Sequence, residues 1–517
     1  MTQPAPAPFL ARPKNAIVIL LDSLNRHMLG AYGGDEFETP NLDAFAARSL
    51  RFQKHYSGSL PCMPARHDIL CGALDFLWKP WGSIEVWEDA ITRYLEEAGI
   101  TSMLVSDHPH LFEVGGENYH TDFTAWEYER GHESDPWKTR PDPSWMGAPL
   151  FGRGSMAYDN SRGYFKDEDE FPGPKTMAAA AKWVDDNSAA ALGRPRERYH
   201  DRYFLFVDEF DPHEPFDTPE PYASLYDPTW EGPHLIWPPY HAAAQGKGVI
   251  NERQARQIRA SYGGKLTMID HWFGKLIASI DRNNLWADTV VIVCTDHGHF
   301  LGEKDIWGKP GVPMYEPIGH IPLMVAWPGI EPRDVQALTT STDLFATLVD
   351  LFDLKVEHRT HGSSLIPIIE GSVTSVRDYV LAGVWGREVH LIDERMKYAR
   401  APETANAPLS VWSNRWSTMP AGPAKLRMPR PDERARLDHM PGTKVPVIRQ
   451  PFVAGDIVPY WAATRFTGNH LYDLRNDPAE DENRVGEREE RELADKLRQA
   501  LQQVEAPEDQ FQRLGMA

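Results

Sequence analysis

Five short apolar runs, mostly β-branched or aromatic, constrain the fold of this chain more than any other feature. They are residues 16–21 (AIVILL), 102–105 (SMLV), 203–207 (YFLFV), 289–294 (TVVIVC) and 321–326 (IPLMVA). Uninterrupted runs of this length fill parallel strands that are buried on both faces. Pro322 belongs at the end of its strand, because it cannot donate to a ladder. Helical patterns lie between the runs, over residues 41–49, 84–98, 176–187 and 252–281. Alternating strands and helices predict an α/β fold, a large mostly parallel sheet sandwiched by helices.

Hydrophobic residues make up 41% of the 517 and charged residues 25%, enough apolar material for a large core. Three parts follow along the chain. A Pro-rich flexible arm covers residues 1–13, the main α/β domain 14–380, and a smaller C-terminal α+β subdomain 381–517, which closes on a charged amphipathic helix at 487–504. Residues 121–171 lack periodicity and are rich in Trp, Pro, Gly and charge, which predicts a long loop insertion over one end of the sheet. The formal charge of −21 leaves no basic face for nucleic-acid phosphates. Three cysteines, Cys62, Cys71 and Cys294, are too few for a disulfide framework and point to a reducing compartment. The opening MTQPAPAPFLARPK lacks the apolar stretch of a secretory signal. No window reaches the ~18 apolar residues of a membrane span. The expectation is a soluble, cytoplasmic protein.

The apolar runs lead into acidic or imidazole residues. Asp22 follows the first; Asp107, His108 and His110 the second; Asp208, Glu209, Asp211 and His213 the third; Asp296, His297 and His299 the fourth. In open α/β sheets the ligand site lies beyond the carboxyl ends of the strands, so these groups should converge on one edge. A single Asp after a strand is more often a cap or turn residue, and Asp296-His297-Gly298 alone is equally a strand-to-helix turn. Together they make a carboxylate–imidazole set suited to a divalent metal, with Asp22, Asp296 and His297 as ligands. Cys62-Met63-Pro64-Ala65-Arg66 stands at a predicted helix start. A cysteine there sits at the positive end of the helix dipole, with Arg66 facing back from the first turn, a place to hold an oxyanion. His55, His67, His110, His299 and His320 are read first as hydrogen-bonded structural histidines, and Cys71 and Cys294 as core residues.

In this order the motifs resemble those of the type I sulfatase family of the alkaline phosphatase superfamily. Residues 16–22 resemble its first strand with a metal-binding Asp, and Thr39-Pro40-Asn41-Leu42-Asp43 its T-P-N-L-D. Cys62 to Arg66 matches the C-x-P-x-R maturation signature, and Asp211-Pro212-His213-Glu214-Pro215 the D-P-H-x-P segment. Asp296-His297-Gly298, Leu301-Gly302-Glu303 and Trp307-Gly308-Lys309 resemble D-H-G, L-G-E and W-x-K. Thr342-Asp343-Leu344-Phe345 and Leu471-Tyr472-Asp473-Leu474 with Asn476-Asp477-Pro478 resemble its later segments. The resemblance implies an alkaline phosphatase-like fold and hydrolysis of sulfate esters. It also implies that a formylglycine-generating enzyme oxidises Cys62 to formylglycine, the nucleophile precursor. By the same resemblance, Asp22, Asp296, His297 and the modified Cys62 hold one divalent metal. Arg66 steadies the nucleophile, and His213 and Lys309 bind the transferred group and assist the leaving oxygen.

Three departures bear on substrate. Ser23 stands where many sulfatases have a second Asp, and His297 where many have Asn. Ser106-Asp107-His108-Pro109-His110 takes the place of G-K-W-H. Ser23, Asp107, His108 and His110 are therefore candidates for substrate contact or for supporting the ligands. One carboxylate fewer and one imidazole more favour Mn²⁺ or another transition metal over the Ca²⁺ of typical sulfatases. The same departures resemble phosphonate monoester hydrolases and phosphodiesterases of the family, which is the alternative reading. Expected partners are a small sulfate or phosphonate/phosphate ester and the maturation enzyme, without nucleic acid or membrane; a homo-oligomer is compatible with the sequence. Intact Cys62, Arg66, Asp296 and Lys309 argue against a scaffold that has lost catalysis.

Overall fold

The structure, a computed structural model, describes residues 12–112, 116–140, 142, 156–188, 202–403, 406–416, 431–440, 443–453, 455, 456, 458, 462 and 468–517. All but the last two residues of the expected N-terminal arm lie outside that set. Among the described residues the main sheet has eight strands: β1 (Asn15–Leu21), β2 (Leu50–Tyr56), β4 (Thr101–Ser106), β5 (Ala125–Tyr128), β6 (Tyr203–Glu209), β7 (Thr289–Cys294), β8 (Leu323–Ala326) and β9 (Arg333–Thr340). A short strand, β3 (Ser59–Leu60), falls between β2 and β4 in the chain and belongs to a second sheet. The order across the main sheet is β9-β2-β8-β7-β1-β6-β4-β5. Only β8 runs against its neighbours. The sheet is mostly parallel, as expected.

β1 is central because both of its faces are apolar. Ala16, Val18 and Leu20 face a core built with α2 (Cys62–Cys71), α3 (Ile91–Glu97) and α6 (Thr342–Phe352). Ile17, Ile19 and Leu21 face the other core, built with α1 (Pro40–Ala46), α4 (Pro172–Asp186) and α5 (Glu252–Arg282). Helices on both faces explain why this strand reads as one apolar run rather than an alternation. Asn251 starts α5 with a reciprocal cap. Its side chain accepts from Gln254 N at 2.9 Å, and the Gln254 side chain accepts from Asn251 N at 2.9 Å.

Two expectations shift. The helix read over 84–98 is confined to Ile91–Glu97. The stretch 121–171 is not only loop: β5 extends the sheet edge and a helix forms at Met156–Arg162.

After residue 378 the chain forms β10 (Tyr379–Val384), β11 (Val389–Asp393), β12 (Met396–Arg400) and β13 (His470–Asp473). With β3 these make a five-stranded sheet ordered β13-β12-β11-β10-β3. The strand that leads into Cys62 is therefore paired to the C-terminal sheet, Gly383 opposite Ser59 and Val384 opposite Leu60. α7 (Arg488–Gln503) covers this sheet with Leu493, Leu497 and Leu501.

Candidate active site

β1, β6 and β7 pair in parallel, with Leu20 opposite both Asp208 and Cys294. That register brings Asp22, Asp208 and Asp296 to one edge. Ser23 turns the chain there with φ of 61°, a left-handed conformation costly for serine and of the kind held at functional sites. The turn aims its backbone N–H at Asp296 Oδ1, 3.1 Å away.

α2 begins at Cys62, as the motif predicts, and ends at Gly72, whose φ of +76° only glycine adopts without strain. A Cβ there would also strike the Phe345 ring. One turn in, Arg66 is fully buried and binds Asp208 through two parallel hydrogen bonds of 2.7 Å. It also reaches Asp296 Oδ2 at 2.8 Å, Asp22 Oδ2 at 2.9 Å and the Cys62 carbonyl at 3.2 Å. Arg66 thus fastens three strand ends to the helix, a broader role than the one expected. Burial alone would raise Asp22, but Arg66 and His213 outweigh it and hold the carboxyl well below its usual range. Burial and the Asp22 charge push the Cys62 thiol well up, against the expected effect of the helix dipole.

The structure brings Asp22, Cys62, Asp296 and His297 together, with ligand atoms within 4.8 Å of one another. His297 Nδ1 lies 2.8 Å from the Gly298 carbonyl, so it carries the proton and Nε2 presents its lone pair, 3.1 Å from Cys62 Sγ. Burial depresses this imidazole and keeps it neutral. Asp22 Oδ2 is buried and receives no hydrogen bond of good geometry. Arg66 and Lys309 face Asp22, Asp208, Asp296 and Glu214, a surplus of buried negative charge. The donor set, the neutral imidazole and the charge surplus all fit one divalent cation.

Lys309 donates to Ser23 Oγ at 3.1 Å and lies 3.7 Å from Glu214. Burial would lower its pKa, but Glu214 and Cys62 outweigh that and raise it, so the ammonium persists. His213 places Nδ1 2.7 Å from the Glu214 carbonyl and stacks on Phe210 at 4.2 Å. Burial lowers it to about 4. His108 Nε2 is 3.5 Å from Asp22, and His110 pairs with Glu133 at 3.1 Å. Asp107 is not brought to the four-ligand cluster. It accepts the Phe210 N–H at 2.8 Å and lies in a separate buried group with Asp211 and Lys265. His55 and His320 bond to Thr339 and to the Gln53 carbonyl, as structural histidines do. His299 binds Glu214 at 3.0 Å.

Two partners in this geometry were not selected from sequence. Asp208 was visible as one of several acids ending the third run. Glu214 was visible only as the variable position of D-P-H-x-P. Beside Lys309 and His297 opens a small pocket of about 50 Å³, walled by Pro61, Phe300, Val312 and Met314 and, from the C-terminal sheet, by Arg387 and His390.

The fold and this edge define a member of the alkaline phosphatase superfamily. The sulfatase family matches residues 14–354. Choline-sulfatase of Rhizobium meliloti (strain 1021) is 28% identical over 388 residues, covering 69% of this chain and 72% of that protein. The multifunctional alkaline phosphatase superfamily protein PehA of Trinickia caryophylli is 24% identical over 426 residues, 69% of this chain and 77% of its own length. Among solved structures, the phosphonate monoester hydrolase of Agrobacterium radiobacter shares the fold, with a TM-score of 0.63 over 96% of both chains at 18% identity. The chain belongs to the sulfatase family.

Proposed function

We propose that this sulfuric ester hydrolase cleaves sulfate esters of small molecules, with formylglycine derived from Cys62 as nucleophile and one divalent ion, Mn²⁺ or Ca²⁺. The observation that carries the reading is the convergence of Asp22, Cys62, Asp296 and His297 at the ends of adjacent strands. Those four residues, Cys62 in modified form, would hold the ion, which supplies Lewis acidity. Formylglycine supplies, through its hydrated form, a nucleophile that can also expel its own ester.

The chain's own residues then divide the work. Arg66 holds the strand ends in register and the Cys62 carbonyl in place. Lys309, kept charged by Glu214, stabilises negative charge developing on the transferred group. His213 is neutral at pH 7 and has its Nδ1–H committed to Glu214, so Nε2 is an acceptor. Lys309 is therefore the proton-bearing member of the pair. The three cysteines are free and buried, which supports a cytoplasmic setting. No described helix is long and apolar enough to cross a membrane.

Ser23 favours a second reading, hydrolysis of phosphonate monoesters or phosphodiesters with the same nucleophile. It removes a charge beside the substrate and leaves Lys309 bonded to a hydroxyl. Comparing kcat/KM for an aryl sulfate, an aryl phosphonate monoester and a phosphodiester with one leaving group decides between them. The sulfate is expected to lead. A 100-fold advantage for either phosphorus ester, ~2.7 kcal/mol of transition-state stabilisation, establishes the second reading instead. Mass spectrometry of the Cys62 peptide from active enzyme is expected to show formylglycine, and unmodified thiol throughout refutes the nucleophile. Asp296→Ala is expected to lose both the ion of this site and turnover.

A further inference from the structure

The far end of the nucleophile helix carries a second set of ligating side chains. His67 and Cys71 stand four residues apart on α2 and so share a face. Glu88 meets them from the segment before α3, and the ligand atoms of the three lie within 4.8 Å of one another, all buried. Asp75 lies beside the group, its Oδ2 3.7 Å from His67 Nδ1.

Within the cluster, His67 Nε2 meets Glu88 Oε1 at 2.7 Å. Both carboxylate oxygens of Asp75 and Glu88 Oε2 are buried with no hydrogen-bond partner. Buried polar atoms are nearly always paired, so three orphaned carboxylate oxygens in one cluster need an explanation. Lys79 does not supply it. Its ammonium is directed to the Ser83 carbonyl at 2.6 Å and Glu85 at 3.2 Å. It stays 3.6 Å from Glu88 and 3.7 Å from Asp75, beyond hydrogen-bond reach. Glu85 in turn accepts from Ser413 Oγ at 2.7 Å and from the backbone N–H of Asn414 at 2.8 Å. Lys79 and Glu85 offset each other, which leaves Asp75 and Glu88 as two buried carboxylates beside a thiol and around His67, whose pKa they raise against burial.

We propose that His67, Cys71 and Glu88 form a second, structural metal site that takes Zn²⁺, with Asp75 beside the other ring nitrogen of His67. Imidazole, thiolate and carboxylate are the donors of four-coordinate zinc. Cys71 gives up its thiol proton to solvent when the ion binds. Because the cluster is fully buried, the ion enters as the chain folds. There it pins the end of α2 to the segment that, through Glu85, also holds Ser413 and Asn414 of the C-terminal part. The site is separate from the Asp22–Asp296–His297 cluster and does not depend on the activity proposed above.

Protein produced in zinc-supplemented medium is expected to hold one zinc per chain that persists in Asp296→Ala and is lost in Cys71→Ala and Glu88→Gln, read by elemental mass spectrometry. Cobalt-grown Cys62→Ala protein leaves the cluster intact and removes the other thiol near a metal site. It is expected to show the thiolate-to-cobalt charge-transfer absorption of Cys71. Asp296→Ala protein free of zinc, or cobalt-grown Cys62→Ala protein without that absorption, overturns the proposal and leaves the cluster an ion-pair network.

Discussion

At the scale of single residues, Arg66 and Lys309 are both buried cations, yet their neighbours give them different duties. Arg66 has no exposed surface and is surrounded by Asp22, Asp208 and Asp296. Removing it leaves three carboxylates without their cation, and breaking a buried pair in this way costs ~3–5 kcal/mol. Arg66→Ala is therefore expected to lose that much stability in urea unfolding, along with activity. Lys309 instead borders the pocket, donating a hydrogen bond to Ser23 and facing Glu214 at 3.7 Å. Lys309→Ala is expected to lower kcat/KM by roughly 10²–10³-fold, the usual loss for one donor at developing charge. Its melting temperature should change little. A large loss of stability with near-normal kcat would instead make Lys309 a structural residue.

At the scale of elements, the ties between strands and loops are buried and charged. Lys397 on β12 binds Glu316 at 3.1 Å and Glu480 at 2.9 Å, and Glu316 also meets Tyr56 of β2 and His320. Burial would raise Glu316, but Lys397 and His320 outweigh it and hold its pKa well below 4.5. A carboxylate depressed in the folded state stabilises fully above its unfolded pKa. That contribution is lost as the pH falls through the folded value. Glu480 shares the ammonium and is pushed the other way by burial, so the two titrate as a pair. Melting temperature is expected to fall as the pH drops below about 4.5. In Glu316→Gln that acid limb should flatten, and an unchanged slope would assign the acid sensitivity elsewhere. On α7, Leu497 is fully buried against Leu391 and Tyr398 of the C-terminal sheet. Leu497→Ala is expected to cost ~2–5 kcal/mol in the same unfolding measurement.

At the scale of the whole molecule, the division near residue 380 proposed from sequence meets a chain whose two parts share structure. β3 belongs to the C-terminal sheet, and Leu74, Phe76, Leu77 and Trp78 pack in one core with Leu493, Leu497 and Leu501. A chain cut after residue 380 would leave those side chains in water, so it is expected to be insoluble or unfolded. Calorimetry of the full chain should give one transition. A soluble, folded 1–380 fragment would show two independent domains instead. The sequence alone determined the apolar strands β1, β6 and β7, because full burial on both faces writes itself as an unbroken apolar run. It also determined the ligand candidates Asp22, Cys62, Asp296 and His297, because short motifs are local. It did not reveal β2 and β9, whose Arg51, Lys54, Arg333 and Asp334 interrupt the apolar pattern. Nor could it rank Asp208 over Glu209 and Asp211, or find Glu214 beside Lys309. Those assignments depend on the parallel register of β1 against β6 and on which side of the strand end each carboxylate leaves. The C-terminal wall of the pocket, with Arg387 and His390, is likewise a tertiary outcome. It forms because β10 pairs with β3, a contact between residues more than three hundred positions apart that no local pattern encodes.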